Sequence, residues 1–512
     1  MNHKSIFILG AGVMQIPAIR TAKENEWRCI VADRDQDAPG ALLADRFEKI
    51  DLKDYEEIYQ RAREIKDGEG LDGIFTAGTD FSYSVAYTAE KLGLPGIPAQ
   101  TALGASNKSV MRELFRRNGI PSPRFTTADS DEDAEPDIRF PVVVKPVDNM
   151  GARGVKMAEN NSELSETLPK AISFSRSGKA IIEEFIKGNE YSLDAVIDRG
   201  EITVTGFADR HISFRPYFVE MGHTIPTAAP LPVRKAVIDV FKRGIKALGI
   251  NHGAAKGDIF YGPEGAVIGE IAARLSGGYM SGWTFPLSSG INLTEAAMRL
   301  ALGMKPSGLK PIRNWISAER AFISIPGKVS GIRGIEAAHA VEGVEEVFIR
   351  VKQGDIVSLP INNVEKCGNI ISALPERTKA VDAAEKAAAL IIIILEKNNE
   401  ETRRFLFSEP GPPFTAFNLE TKESKAFLND MTRLSRTMKL LKKHQIRIPY
   451  PAGFNPETLL DWNHRSAAET ISRYQEITRR QIIFSPSAPS SEGAFFWKIL
   501  LRGGIQGLIY CS

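Results

Sequence analysis

FPVVVKPVDNMGARGV, residues 140–155, is the stretch from which the rest of the chain is read. Val142 to Val144 make a β-branched apolar run, Lys145 stands at its end, and Gly151 and Gly154 punctuate the loop that follows. A lysine at the end of a buried strand has its ammonium fixed in place, and the glycines let backbone N–H groups approach phosphate oxygens with no Cβ in the way. The stretch is a phosphate cradle. Its lysine precedes its glycines, so the GxxxxGK[ST] order is missing and the ordinary P-loop reading fails.

Upstream, Ser5 to Leu9 reads as a strand, followed by Gly10-Ala-Gly12, a helix carrying Ile16, Ile19 and Ala22, and a strand Cys29 to Ala32 ending at Asp33. A third strand, Gly73 to Thr76, leads to Gly78-Thr79-Asp80 and an alanine-rich helix, and the pattern breaks at Leu94-Pro-Gly-Ile-Pro, which closes a first domain at about residue 105. Asp33 lies where an acid would take a ribose hydroxyl of a dinucleotide, but Gln15 replaces the third glycine of that fingerprint. The preferred reading is a Rossmann-like domain that helps form a substrate site.

A second unit starts with a charged helix, Lys108 to Asn118, then a turn and an acidic segment, Asp129 to Asp137, before the cradle. Alternating apolar residues in Ala180–Phe185, Ser192–Ile197, Ile202–Ala208, Ala255–Phe260 and Ala266–Ile271 predict mainly antiparallel strands. After Pro326 a short α/β segment reaches Phe407. Residues 408–512 open on Glu-Pro-Gly-Pro-Pro, predict a basic helix near Arg433 to Lys443, and carry a Ser/Pro stretch at Ser485 to Ser491. They hold no repeat or motif and read as a second module cut short, with a docking segment or a lid as the other options.

The chain has 512 residues, 43% hydrophobic and 25% charged, and a formal net charge of +2, so composition gives no global case for nucleic acid or an anionic membrane. Three distant cysteines, Cys29, Cys367 and Cys511, argue against a disulfide framework and fit a cytoplasmic protein. No apolar stretch approaches the roughly 20 residues that span a bilayer.

Two further stretches carry chemistry. In IIEEFIKGNEYSLDAVI, residues 181–197, an extended backbone followed by carboxylates suits a nucleoside, although paired glutamates on a strand are usually a solvated face. In DIFYGPEGAVIGEIAARLSGG, residues 258–278, Asp258 and Glu270 face each other across a hairpin, an arrangement that a cation such as Mg²⁺ relieves. Arg274 lies an even number of residues beyond Glu270, so an extended chain points both the same way; a plain Glu270–Arg274 salt bridge is the simpler alternative.

Taken in order, these segments resemble the ATP-grasp superfamily of carboxylate–amine ligases over about residues 1–407. The strings ADRDQDAPGALLAD, GTDFSYSVAYTAEKLGLPG, FVEMGHTIP and EIAARLSGG look most like its L-amino-acid ligase branch. The resemblance implies an α/β and α+β multidomain fold. A Rossmann-like pre-ATP-grasp domain over 1–105 precedes an ATP-grasp domain over 106–325, whose nucleotide-binding subdomain covers about 120–187, and a C-terminal lobe over 326–407.

It also implies ATP and Mg²⁺, with Mn²⁺ as a substitute. Lys108 and Lys145 would contact the α- and β-phosphates, with Gly151 and Gly154 in the loop that closes over them. Glu183, Glu184 and Ile186 would meet adenine, Glu190 the ribose, and Asp258 and Glu270 the metal. Arg274 would hold the γ-phosphate and then an acyl phosphate, while Glu220 and His223 would border the amino-acid substrates. The implied reaction activates a carboxylate and joins it to an amine. A bicarbonate-activating carboxylase or carbamoyl-phosphate-synthase-like enzyme is the alternative, and a non-catalytic ATP-binding protein the second. The partners are small molecules, with a homodimer expected from the likeness alone. Two positions depart from the pattern: Ala272 stands where many relatives supply an asparagine oxygen to a second Mg²⁺, and Asp258 is shorter than the usual glutamate. Arg153 replaces a small residue in the closing loop.

Overall fold

Strands in which nearly every residue is apolar have no solvent face, and that is what β1 (Ser5–Leu9) and β2 (Arg28–Asp33) are. With β3 (Arg46–Lys49) and β4 (Gly73–Phe75) they form a parallel sheet in the order β3-β2-β1-β4. Period-two alternation sends Phe7, Leu9 and Ile30 to one side, where Ile58, Ala62 and Ala89 of α2 (Tyr55–Glu69) and α3 (Ser82–Leu92) cover them. Ile6, Ile8 and Val31 go to the other, against Ala18 and Ile19 of α1 (Ile16–Glu24). The structure is a computed structural model that describes residues 4–130, 138–411, 414–419, 421–435, 440–486 and 490–512. Most of the acidic segment expected at Asp129 to Asp137 lies outside these.

The structure divides into two units, Met1–Ala318 with Ala373–Glu376, and Glu319–Ser372 with Arg377–Ser512. In the first, helix α4 (Ala99–Ser106) ends at Asn107, whose side chain accepts from Ser109 and Val110 N–H and so starts α5 (Lys108–Arg117) with Lys108 at its first position. Next comes an antiparallel sheet of β5 (Phe125–Ala128), β6 (Val142–Pro146), β7 (Lys156–Ala158) and β8 (Ala180–Glu184), in the order β5-β8-β6-β7. Val142, Val144 and Ile182 pack on Leu164, Leu168 and Ala171 of α6 (Asn161–Phe174), so Lys145 and Glu183 are turned to the opposite face.

A larger antiparallel sheet follows, with β9 (Asn189–Asp198), β10 (Glu201–Ser213), β11 (Val219–Ile225), β12 (Gly253–Gly262) and β13 (Gly265–Ala272) in the order β13-β12-β9-β10-β11. Leu193, Ala195, Ala255 and Ile271 pack on Val237, Phe241 and Ile245 of α7 (Leu231–Ala247). Alternation therefore puts Ser192, Asp194, Lys256, Asp258 and Glu270 on the other face. That sheet has one apolar face and one charged face, and the charged face carries the site. The short α8 (Phe285–Ser289) and α9 (Leu293–Ala301) complete this unit's helices, and α9 packs with the core of the first sheet.

In the second unit β14 (Ile316–Phe322), which enters from the first, is followed by β15 (Gly327–Arg333), α10 (Ile335–His339), β16 (Val344–Ile349), β17 (Ile356–Val357), β18 (Gly368–Leu374), α11 (Arg377–Leu390), β19 (Ile392–Leu395) and α12 (Glu400–Phe407). Residues 408–512 belong to the same unit. They form α13 (Lys422–Leu434), β20 (Gln445–Pro449), α14 (Ala467–Thr478), β21 (Gln481–Ser485) and α15 (Ser491–Tyr510), with β20 and β21 paired in parallel. The helix expected near Arg433 to Lys443 is displaced: α13 closes at Ser435, residues 436–439 lie outside the described ones, and residues 440–443 are not helical. The segment α15, two helical stretches joined across a non-helical Gly504, is buried from Glu492 to Leu508, and its buried Lys498, Arg502 and Gln506 are hydrogen-bonded. Among the described residues no helix is long and apolar enough to cross a membrane.

Candidate active site

Lys108 and Arg112 sit one turn apart on α5 and enter the site together. Arg112, fully buried, donates from Nε to Glu183 Oε1 at 2.7 Å, and Lys145 Nζ donates to Glu183 Oε2 at 2.6 Å. Burial pushes Glu183 up, but Arg112 and Lys145 outweigh it and hold the carboxyl below the usual range. Its carboxylate thus fixes the cradle lysine. The backbone of Glu183 pairs with both β5 and β6, so the strand is interior there and not an edge. Glu184 accepts from Arg124 through both oxygens, at 3.0 Å from N–H and 3.2 Å from Nε. Its own N–H goes to Arg124 O and that of Phe185 to Pro141 O. Only from Ile186 does the extended chain leave the sheet.

The loop after Lys145 turns through left-handed backbone at Gly151 (φ +69°), Ala152 (φ +58°) and Gly154 (φ +73°). A Cβ on Gly154 would meet Phe174 Cβ at 2.8 Å, so glycine is required there twice over. Arg153 folds back to donate from Nε to Met150 O at 3.1 Å. Lys108 Nζ donates to Asn149 O at 2.9 Å at the head of this loop and lies 3.6 Å from Glu270 Oε1.

Asp258 and Glu270 are direct register partners on β12 and β13, as their spacing predicts. Their surroundings differ. Glu270 keeps a third of its side chain open, at 33%. Burial pushes it up, but Lys108, Lys256, Arg274 and Lys145 hold it well below the usual carboxylate range. Asp258 has only 12% of its side chain open and both oxygens engaged: Oδ1 accepts from Ser192 Oγ at 2.9 Å, and Oδ2 accepts from Lys256 Nζ and lies 3.2 Å from Arg210 Nη1. Carboxylates suit Mg²⁺ in type. By these contacts Glu270 fits such an ion and Asp258 does not, and among the described residues no group of three or more His, Cys, Asp or Glu side chains could hold a metal.

Arg210 on β10 ties the acids together, donating from Nη2 to Glu220 Oε2 at 2.8 Å and from Nη1 to Glu190 Oε2 at 3.4 Å. Burial lowers its pKa, but Asp258, Glu220 and Glu190 raise it further still, so the guanidinium is permanently charged. Glu190 is raised above the usual carboxylate range, chiefly by burial. His223 is fully buried, with Nε2 2.7 Å from Thr284 Oγ1 and Nδ1 3.8 Å from Glu220 Oε1. Arg274 donates from Nη1 to Leu275 O at 3.1 Å, and no ion pair joins it to Glu270 among the described residues. The loop Ser276-Gly277-Gly278 is anchored by buried Asp194, which accepts from Ser276 N–H at 3.0 Å and from Ser276 Oγ. Burial pushes the Asp194 carboxyl up to about 7. The same loop lies against Gly78, whose N–H donates to Leu275 O at 3.4 Å, which brings the first sheet's Gly78-Thr79-Asp80 turn to its side. At the opposite end of the glycine pattern, buried Gln15 donates to Ala77 O, and a Cβ on Gly10 would come within 2.8 Å of its amide. Asp33 accepts from Ala11 N–H at 2.9 Å and shapes that turn.

Sequence reasoning missed Arg112, Arg210, Asp194 and Lys256. Arg112 was legible as the i+4 neighbour of Lys108 on one helix face, and Lys256 as the i−2 neighbour of Asp258 on one strand face. Arg210 and Asp194 had no such signal, because their partners are distant in sequence.

Two family profiles match the chain: ATP-grasp domain over residues 138–282 and L-amino acid ligase C-terminal domain 2 over residues 321–396. An uncharacterized protein of Sinorhizobium fredii is 23% identical over 355 residues, covering 68% of this chain and 73% of its own. Carnosine synthase 1 of Gallus gallus is 25% identical over 334 residues, 60% of this chain, which spans only 36% of that relative. The crystal structure of L-amino acid ligase from Bacillus licheniformis aligns at a TM-score of 0.68 and 21% identity, over 78% of this chain and 100% of that one, a likeness of fold.

Proposed function

We propose that this chain, an ATP-grasp protein in which the ATP-grasp domain is followed by an L-amino acid ligase C-terminal domain, activates the carboxylate of an amino acid or small acid with ATP and joins it to an amine. The observation that carries this reading is the convergence of fixed cations on one carboxylate-lined site: Lys108 of α5 lies 3.6 Å from Glu270, Lys145 of β6 donates to Glu183, and Lys256 of β12 donates to Asp258, the register partner of Glu270. Fixed cations in that number suit a triphosphate and the charge that moves during phosphoryl transfer. Glu270 would hold Mg²⁺, which would supply positive charge that offsets part of that negative charge.

The chain's own groups take the remaining roles. Lys145, held by Glu183, and Lys108, held by Asn149 O, meet the phosphates, and the loop at Gly151 and Gly154 covers them and excludes water. Glu190 stands for the ribose, and the extended backbone at Ile186 for the adenine edge. Arg274, fixed through Leu275 O, holds the phosphoryl group and then the acyl phosphate, so the carboxylate is activated before the amine attacks. Glu220, beside Gly278 and steadied by Arg210, takes the amine proton, and His223, locked to Thr284, orients it.

A phosphate-release screen pairing amino acids and small carboxylates with ATP tests the reading. ADP formed only when an acid and an amine are both present supports it, and Arg274→Ala then abolishes product. Turnover that needs bicarbonate and no amino acid would replace it with the carboxylase reading; ATP binding with no ADP across the panel would leave a binding protein.

A further inference from the structure

Lys256 is a charged side chain inside the acid cluster to which the reading so far gives no separate task. It lies on β12 directly opposite Ala272 on β13, one strand position-pair from the Asp258–Glu270 pair. Its neighbour across the other edge of β12 is Asp194. Alternation places all five of these side chains on one face of the sheet. The ammonium donates to Asp258 Oδ2, the side chain is only 12% exposed, and Ala272 offers a methyl group and no ligand. Arg210 Nη1 lies 3.2 Å from the same oxygen, and Ser192 supplies a hydrogen bond to the other.

A divalent ion bound to Asp258 Oδ2 at the ordinary oxygen distance of about 2 Å would stand within about 5 Å of both the ammonium and the guanidinium. It would have to displace them or be repelled by them. Oδ1 has one lone-pair direction left beside the Ser192 hydroxyl, but it shares the same buried carboxylate. Glu270, across the pair, keeps a third of its side chain open and among the described residues accepts no hydrogen bond: Lys108 Nζ is 3.6 Å away and donates to Asn149 O instead.

We propose that Lys256 is a fixed cation of the active site, which neutralises Asp258 and stands where a second divalent ion would otherwise sit, so that the nucleotide-bound protein holds one divalent ion, through Glu270. This rests on the ATP-binding reading above. A covalently attached charge is always in place, whereas an ion must be captured for each turnover. It also makes the protein's demand for free divalent ion that of a single site.

The test uses the full chain, a non-hydrolysable ATP analogue and Mn²⁺ counted by electron paramagnetic resonance. One Mn²⁺ per nucleotide-bound chain is expected. Asp258→Asn should keep that stoichiometry with an affinity within about threefold, Glu270→Gln should weaken Mn²⁺ binding at least tenfold, and Lys256→Met, which removes one of the two cations on Asp258 Oδ2 and leaves Arg210 there, should let a second ion bind at least tenfold more tightly than in the wild type. Two ions per wild-type chain, or loss of Mn²⁺ in Asp258→Asn while the analogue still binds, overturns the proposal. Failure of the wild-type chain to bind the analogue at all overturns the ATP-binding reading and the proposal with it. The wild-type count stands even if a variant does not fold.

Discussion

Replacing Arg112 with Met tests whether the cradle is held up by a buried ion triad. Arg112 is fully buried, Glu183 is 1% exposed, and the two meet at 2.7 Å, while the guanidinium also donates to Gly269 O on β13. Removing one partner of a buried pair costs about 3–5 kcal/mol, because the remaining charge is left without its counter-ion. Lys145 still holds the other oxygen of Glu183, which places the expected loss near the lower end, at about 3 kcal/mol. At about 2 °C per kcal/mol for a large domain, the first unit should melt roughly 6 °C lower. The pH dependence follows from the direction of the shift. Glu183 is held below its ordinary value, so its contribution is present above that value, 4.5 in the unfolded chain, and lost as the pH falls through the lower folded one. Arg112→Met should therefore lose part of the acid-side decline in stability. Thermal and urea melts of Arg112→Met, Glu183→Gln and the double variant close the cycle, and the double variant should recover at least about 1 kcal/mol relative to the sum of the singles. A loss under about 1 kcal/mol for Arg112→Met, or strict additivity, would refute the triad as a support.

Gly154→Ala forces an alanine into left-handed backbone against Phe174; a fluorescent ATP analogue should bind about tenfold more weakly, roughly 1.4 kcal/mol, and unchanged binding would detach the loop from nucleotide. Asp194, ordinarily at 3.8 and about 7 in the fold, binds a proton more readily when folded, so its contribution falls as pH rises from about 4 to about 7 and is constant above. Urea melts at pH 5 and pH 8 should show that fall in the wild type and a smaller one in Asp194→Asn. Asn463 pairs its amide with Ile323, accepting from N–H at 2.8 Å and donating to O at 3.0 Å; Asn463→Ala should cost the second unit about 1–3 kcal/mol, seen as faster hydrogen exchange at Ile323 N–H.

Much of this was written locally in the chain. The Val142–Val144 run fixes the strand that presents Lys145, Asn107 starts the helix that presents Lys108, and the hairpin at residues 262–265 sets Asp258 against Glu270. Each depends on neighbours a few residues away, where periodicity and capping act. What stayed illegible depends on distance. Arg112 and Glu183 are 71 residues apart and Asp194 and Ser276 are 82 apart, so no local pattern announces either pair. The helix expected at Arg433 to Lys443 was drawn from basic residues alone, whereas α13 takes its bounds from the Thr421 cap and buried Phe427 and Met431. Residues 481–485 and 445–449 alternate as strands do, but their parallel pairing across an intervening helix is visible only in three dimensions.

The burial of α15 bears on how the protein can be handled. Gln506 bonds both Ser324 Oγ and the Ile325 N–H, Arg502 reaches the carbonyls of Leu406 and Ser408, and Gly503 and Gly507 let Leu406 pack close to the helix. A shortened chain stopped at residue 407, just past the stretches that the two family profiles match, would strip these contacts from Ser324, Ile325 and Leu406. The bared apolar surface would favour aggregation, so a soluble preparation calls for residues 408–512 to stay attached.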